Sequence, residues 1–90
     1  MTNIDFTFDA EANGWLSEPI TIERQVMIHV ELAAVAPLVT LKQEPDGEFA
    51  VYGQSPEDSD QYETKITTSE EEVTIKLAAP VEVKNCYIMN

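Results

Sequence analysis

The sequence predicts an all-β fold: an antiparallel β-sandwich, Ig-like or jelly-roll-like, with about seven or eight short strands. Three observations predict it. Apolar and polar residues alternate with period two over most of the chain, which places successive side chains on opposite faces of a strand. Ile, Val and Thr supply 23 of the 90 residues, and β-branched side chains favour strands. Turn residues recur at spacings of roughly 8–12 residues.

The elements follow in order. Asn3 to Phe8 reads as a strand with Ile4, Phe6 and Phe8 on one face and Asp5 and Thr7 on the other. Asp9 to Gly14 is a loop, and its flexibility would permit exchange of the first strand between copies. Trp15 and Leu16 follow, then Pro19 and a short strand at Ile20-Thr21-Ile22. Gln25 to Ala34 is the longest element, with Val26, Ile28, Val30 and Leu32 alternating against Met27, His29 and Glu31. Leu32-Ala33-Ala34 suits a helix, but the strict alternation and the β-branched content decide for a strand.

Pro37 interrupts. Leu38 to Lys42 resumes with Val39 and Leu41 expected inward. Glu44-Pro45-Asp46-Gly47-Glu48 is the clearest turn: Pro presets φ, Asp tolerates the third position and Gly closes it. The returning strand, Glu48 to Tyr52, carries Phe49 and Val51. Gly53 to Gln61 is a polar loop around Pro56. Tyr62, Thr64 and Ile66 mark the next strand, and Thr68-Ser69-Glu70-Glu71 a tight turn. Glu72 to Leu77 forms a strand with Val73, Ile75 and Leu77 inward. After Ala78-Ala79-Pro80, Val81 to Met89 ends the chain as one or two strands. With no repeat, linker or low-complexity stretch, residues 1–90 read as one domain.

Composition excludes several functions. Five Lys and Arg against 17 Asp and Glu give a formal charge of −12, the opposite of a nucleic-acid footprint. No apolar run approaches the roughly 18 residues of a membrane helix. Neither a basic n-region nor an apolar h-region opens the chain, so no secretory signal is expected. The single Cys86 forms no intramolecular disulfide, which favours a reducing compartment.

Catalysis finds no constellation. One His29 and one Cys86 do not make a zinc set, and no catalytic triad follows from one histidine. Cys86 reads as an inert thiol in a strand, and His29 as an exposed or interface residue opposite the apolar face. Seventeen carboxylates guarantee pairs without specifying any. Three glycines leave no phosphate loop. Glu57-Asp58-Ser59-Asp60 offers oxygens but lacks the glycine of an EF-hand, and reads as a solvated loop. No enzyme activity, metal or cofactor is therefore expected. The candidate binding residues are Trp15, Tyr52, Glu57, Asp58 and Asp60. Aromatic side chains anchor interfaces or stack on sugars, and loop carboxylates meet basic partners. The scattered Arg24, Lys42, Lys65, Lys76 and Lys84 are expected on solvent faces or guarding edges.

The hairpin Leu38-Val39-Thr40-Leu41-Lys42-Gln43-Glu44-Pro45-Asp46-Gly47-Glu48-Phe49-Ala50-Val51-Tyr52-Gly53 resembles one in small virion proteins of tailed bacteriophages, such as capsid accessory, head-fibre and tail modules. Phe6-Thr7-Phe8, Trp15-Leu16-Ser17-Glu18-Pro19-Ile20 and Asn85-Cys86-Tyr87-Ile88 match further segments of that pattern. The resemblance implies a non-enzymatic structural protein of a virion, assembled in the host cytoplasm. Its partners would be coat or fibre proteins and repeated copies of itself, bound through sheet edges and loops, with no direct nucleic-acid or membrane contact. Two alternatives stay open: a carbohydrate-binding module that uses exposed aromatics, since such modules share the Asp-Gly-aromatic hairpin, and an acidic inhibitor that mimics DNA.

Overall fold

Alternation resolves in space as two antiparallel sheets packed face to face. The structure is a computed structural model and describes residues 2–22, 24–54, 57–67 and 72–89. Within them the strands are β1 (Thr2–Asn3), β2 (Phe6–Asp9), β3 (Gly14–Ser17), β4 (Ile20–Thr21), β5 (Gln25–Ala36), β6 (Val39–Gln43), β7 (Phe49–Gln54), β8 (Ser59–Thr67), β9 (Glu72–Val73), β10 (Ile75–Ala78) and β11 (Val83–Ile88). One sheet has the order β1-β11-β5-β8, the other β2-β3-β10-β6-β7, and β4 pairs with β9 beside them. The expected all-β sandwich is the observed fold. Two expected strands are each divided where the chain passes between sheets. Asn3 to Phe8 breaks at Ile4-Asp5, so β1 pairs with β11 while β2 pairs with β3. Glu72 to Leu77 breaks at Thr74, leaving β9 with β4 and β10 with β3 and β6.

The core is a single cluster that includes Ile28, Val30, Ile66, Ile75 and Leu77, each at 0 % exposure, with Val26, Leu32, Tyr62, Val73 and Cys86 around them. The expected inward sets of β5, β9 and β10 are the buried ones, and in β8 Tyr62 and Ile66 are buried while Thr64 is half-buried. Phe8 departs from its expected face: Ile4 is buried, but Phe8 at the end of β2 is 51 % exposed. The 68–71 turn lies outside the described residues.

Both well-defined turns show why the sequence folds locally. In the β2–β3 hairpin, Asp9 Oδ1 accepts the amides of Glu11 (2.9 Å) and Ala12 (3.1 Å), and Asn13 takes a positive φ of 54°. The loop read as a hinge is thus closed within the chain, with Phe8 opposite Trp15. In the β6–β7 hairpin, Gly47 N–H donates to Glu44 C=O at 2.9 Å, and Gly47 sits at φ 90°. Asp46 Oδ1 accepts Glu48 N–H at 2.9 Å.

The β6 strand runs in the phase opposite to that expected. Leu38, Thr40 and Lys42 point inward at 3 %, 1 % and 6 % exposure, while Val39 and Leu41 are only half-buried. The reason is register. Thr40 stands opposite Leu77 and Lys42 opposite Ile75, both core residues of β10. Cross-strand partners share a face, so Leu41 joins Lys76 on the outer face. A bulge between Thr40 and Leu41 inserts Tyr52 and sets Val51 opposite Leu41, outward and 61 % exposed. Lys42, expected on a solvent face or guarding an edge, is buried instead. Its Nζ lies 3.8 Å from Glu44 Oε2 and 5.5 Å from the centre of the Tyr52 ring.

Candidate functional site

The two sheets end side by side at β7 and β8, which belong to different sheets and share no ladder. Between them lies an open cleft of about 510 Å³. Tyr52, Gly53 and Gln54 form one wall, residues 61–65 the other, and Leu38 and Thr40 the floor. The walls come close at Gly53: a Cβ there would stand 3.0 Å from Thr64 Cγ2, so only glycine allows this approach without displacing Thr64. Tyr52 ties the seam further along. Its hydroxyl donates to the Thr67 carbonyl and accepts the Thr67 amide at 3.1 Å.

Tyr62 fixes the mouth. Its buried hydroxyl donates to Ala36 C=O at 2.6 Å and accepts Ser59 N–H at 2.9 Å. Ser59 Oγ in turn accepts Gln61 N–H at 3.1 Å. The Glu57–Asp60 run is therefore anchored by a tyrosine and a serine, while Glu57, Asp58 and Asp60 remain exposed. The cleft lining is mostly amide and hydroxyl: Gln54, Gln61, Thr40 and Thr64, with Glu63 and Lys65 adding one charge of each sign.

Of the five residues expected from sequence, Tyr52 lines this cleft, and Glu57, Asp58 and Asp60 precede its β8 wall. Trp15 is elsewhere. It sits on β3, three strands from β7, roughly 14 Å away at the usual strand spacing. It is half-buried and meets Phe8 edge-on, ring centres 5.4 Å apart. Gln54, Gln61, Tyr62, Thr64 and Lys65 were not singled out, because wall and floor come from three strands that only the fold brings together. Gly53 and Gln54, expected to open a polar loop, instead continue β7, and β8 already begins at Ser59; a glycine within a strand marks close approach.

The outer faces differ. Across the five-stranded sheet, Leu16, Lys76, Leu41 and Val51 stand in one lateral row. Lys76 Nζ lies 5.5 Å from the centre of the half-buried Phe49 ring. No carboxylate stands in that row. Across the four-stranded sheet the row is Asn3, Tyr87, His29 and Glu63. His29, expected to be exposed or at an interface, is half-buried: it stacks on Tyr87 at 4.9 Å and places Nδ1 3.8 Å from Glu63 Oε1. Cys86 is buried, and burial pushes its thiol up to about 12, which leaves no nucleophilic thiolate at neutral pH.

No family model, no curated protein and no solved structure matches this chain.

Proposed function

We propose that this chain is a non-enzymatic structural accessory protein of a tailed-phage virion. It binds coat or fibre proteins through sheet edges and loops, in repeated copies. One observation carries the protein-binding part. The β6–β7 hairpin, the segment that resembles phage virion proteins, forms the edge of the five-stranded sheet and presents an uncharged β7 with Val51 61 % exposed beside Leu41. Long edges are normally guarded by charge or proline, and β7 carries neither. An edge without charge or proline, broken only by the bulge at Tyr52 and flanked by the outer row of Leu16, Lys76, Leu41 and Val51, is a surface suited to another polypeptide.

Aromatic stacking on sugars gains no support from these positions. Lys42 lies over the Tyr52 ring, Tyr87 is stacked on His29 and Tyr62 is buried. The test is quantitative mass spectrometry of purified particles from the source of the sequence. The expected result is a fixed, high copy number per particle. Presence in infected cells with absence from particles overturns the reading.

A further inference from the structure

We propose that the outer face of the five-stranded sheet packs against the same face of a second copy of this chain, about a two-fold axis near Lys76. This rests on the protein-binding reading above, through its repeated copies, and names the surface by which two copies meet. In an antiparallel sandwich each sheet commonly keeps one apolar face for the core and turns a polar one to water. The four-stranded sheet does so: Glu31, Glu63 and Lys65 stand on its outer side. The five-stranded sheet does not. Pairing puts Leu16, Lys76, Leu41 and Val51 on its outer side, with Val39 and Phe49 two residues back along β6 and β7. Among the described residues paired on that side, Asp9 is the one carboxylate. It lies at the end of edge strand β2, where its Oδ1 accepts the Glu11 and Ala12 amides. In a chain with 17 Asp and Glu, this face is kept clear of carboxylates. The phase of β6 agrees, since its register turns Val39 and Leu41 outward and buries Lys42. Apolar residues on both faces mark a sheet that is covered on both faces.

Charge selects the occupant. A basic partner meets Lys76, the one cation among the described residues paired on this side, and an acidic partner meets the field of a chain at −12. An apolar surface free of carboxylates avoids both, and every copy of this chain presents one. A two-fold axis running along the middle strand, β10, lays Leu16 of one copy over Leu41 of the other. Lys76 lies at that centre, but its Nζ reaches across β6 to within 5.5 Å of the centre of the Phe49 ring. The two ammonium groups are thereby drawn apart in opposite directions. The face measures roughly 20 by 15 Å in plan, well below the ~800 Å² per partner of a standard stable interface. The dimer is therefore weak, with an expected Kd of about 100 µM. Repeated copies in one assembly add such contacts together.

The test is sedimentation equilibrium of the full chain from about 10 µM to about 1 mM, at low and at high salt, with amide shifts of the ¹⁵N-labelled chain followed over the same range. A monomer–dimer equilibrium is expected that tightens several-fold at high salt, because salt screens the repulsion between two chains at −12 while the contact itself holds no carboxylate pair. Shifts that depend on concentration are expected at Leu16, Leu41, Val51 and Lys76. Val51→Asp is expected to weaken the dimer about ten-fold or more. Val35→Asp, on the other sheet and 67 % exposed against 61 % for Val51, is the matched control and leaves it unchanged. Shift mapping uses the wild type, so a Val51→Asp chain that fails to fold still leaves the question decided. A monomer throughout the range, a dimer that salt loosens, shifts on the four-stranded sheet instead, or equal effects of the two variants overturns the inference. The virion reading fails separately. If the wild type dimerises through this face but is absent from particles, the face stands and the virion assignment falls. If it is in particles at fixed copy number and stays monomeric in solution, the reverse follows.

Discussion

Replacing Tyr62 by Phe removes one oxygen and leaves the ring in the core. That oxygen serves Ala36 C=O at 2.6 Å in a buried site and Ser59 N–H at 2.9 Å. Ala36 and Ser59 face each other beyond the irregularity in the β5–β8 ladder, so the hydroxyl bridges the place where regular pairing lapses. Without it a buried carbonyl and a half-buried amide each lose a partner. A single buried group left unsatisfied costs about 1–3 kcal/mol, and the amide regains part of its loss from water. The expected destabilisation of Tyr62→Phe is therefore about 2 kcal/mol, or roughly 10 °C in melting temperature for a domain of this size. Urea unfolding followed by circular dichroism measures it, with an unchanged slope against denaturant. Hydrogen exchange is expected to quicken at Ser59 while Ile28 and Ile66 stay protected. A loss below about 0.5 kcal/mol would refute the argument that the hydroxyl carries the bridge, since that is the range of an ordinary surface substitution.

Other positions give independent checks. Leu77→Ala, at a site with 0 % exposure, is expected to cost about 3 kcal/mol in the same urea assay, whereas Val35→Ala, 67 % exposed, changes stability by less than about 0.5 kcal/mol. Gly47→Ala tests backbone strain alone, because nothing lies within 4 Å of the added Cβ while φ is +90°; a loss of about 1 kcal/mol by thermal melting is expected. Cys86 supplies a pH dependence. Its thiol is raised from 9.0 to about 12 by burial, so above pH 9 the unfolded chain holds fewer protons than the folded one and stability falls as pH rises towards 12. Wild type is expected to lose stability relative to Cys86→Ala between pH 8 and pH 10, by about 1 kcal/mol. A thiol reagent at neutral pH should label Cys86 only on unfolding; prompt labelling of folded protein would contradict its burial.

Much of this fold is written in local chemistry. The alternation in β5 is long enough to outweigh its helix-forming alanines, and Val26, Ile28, Val30 and Leu32 are buried as it dictates. Glu44-Pro45-Asp46-Gly47 specifies its turn because φ and side-chain acceptors are properties of those residues themselves. Tyr52 was legible as a binding candidate, and the carboxylates of 57–60 as an exposed cluster. Their place on one cleft was not, since it depends on two strand edges from different sheets.

Local pattern alone determined that the chain is an antiparallel all-β sandwich and where most of its strands lie. Tertiary structure decided the phase of β6, the division of the first strand between sheets and the existence of the cleft. The physical reason is pairing. Val39 and Leu41 outnumber Leu38 as apolar residues of their stretch, yet a strand's inward face is fixed by the neighbour it hydrogen-bonds. Ile75 and Leu77 on β10 bring Lys42 and Thr40 in with them, and one inserted residue at Tyr52 turns Val51 out to solvent.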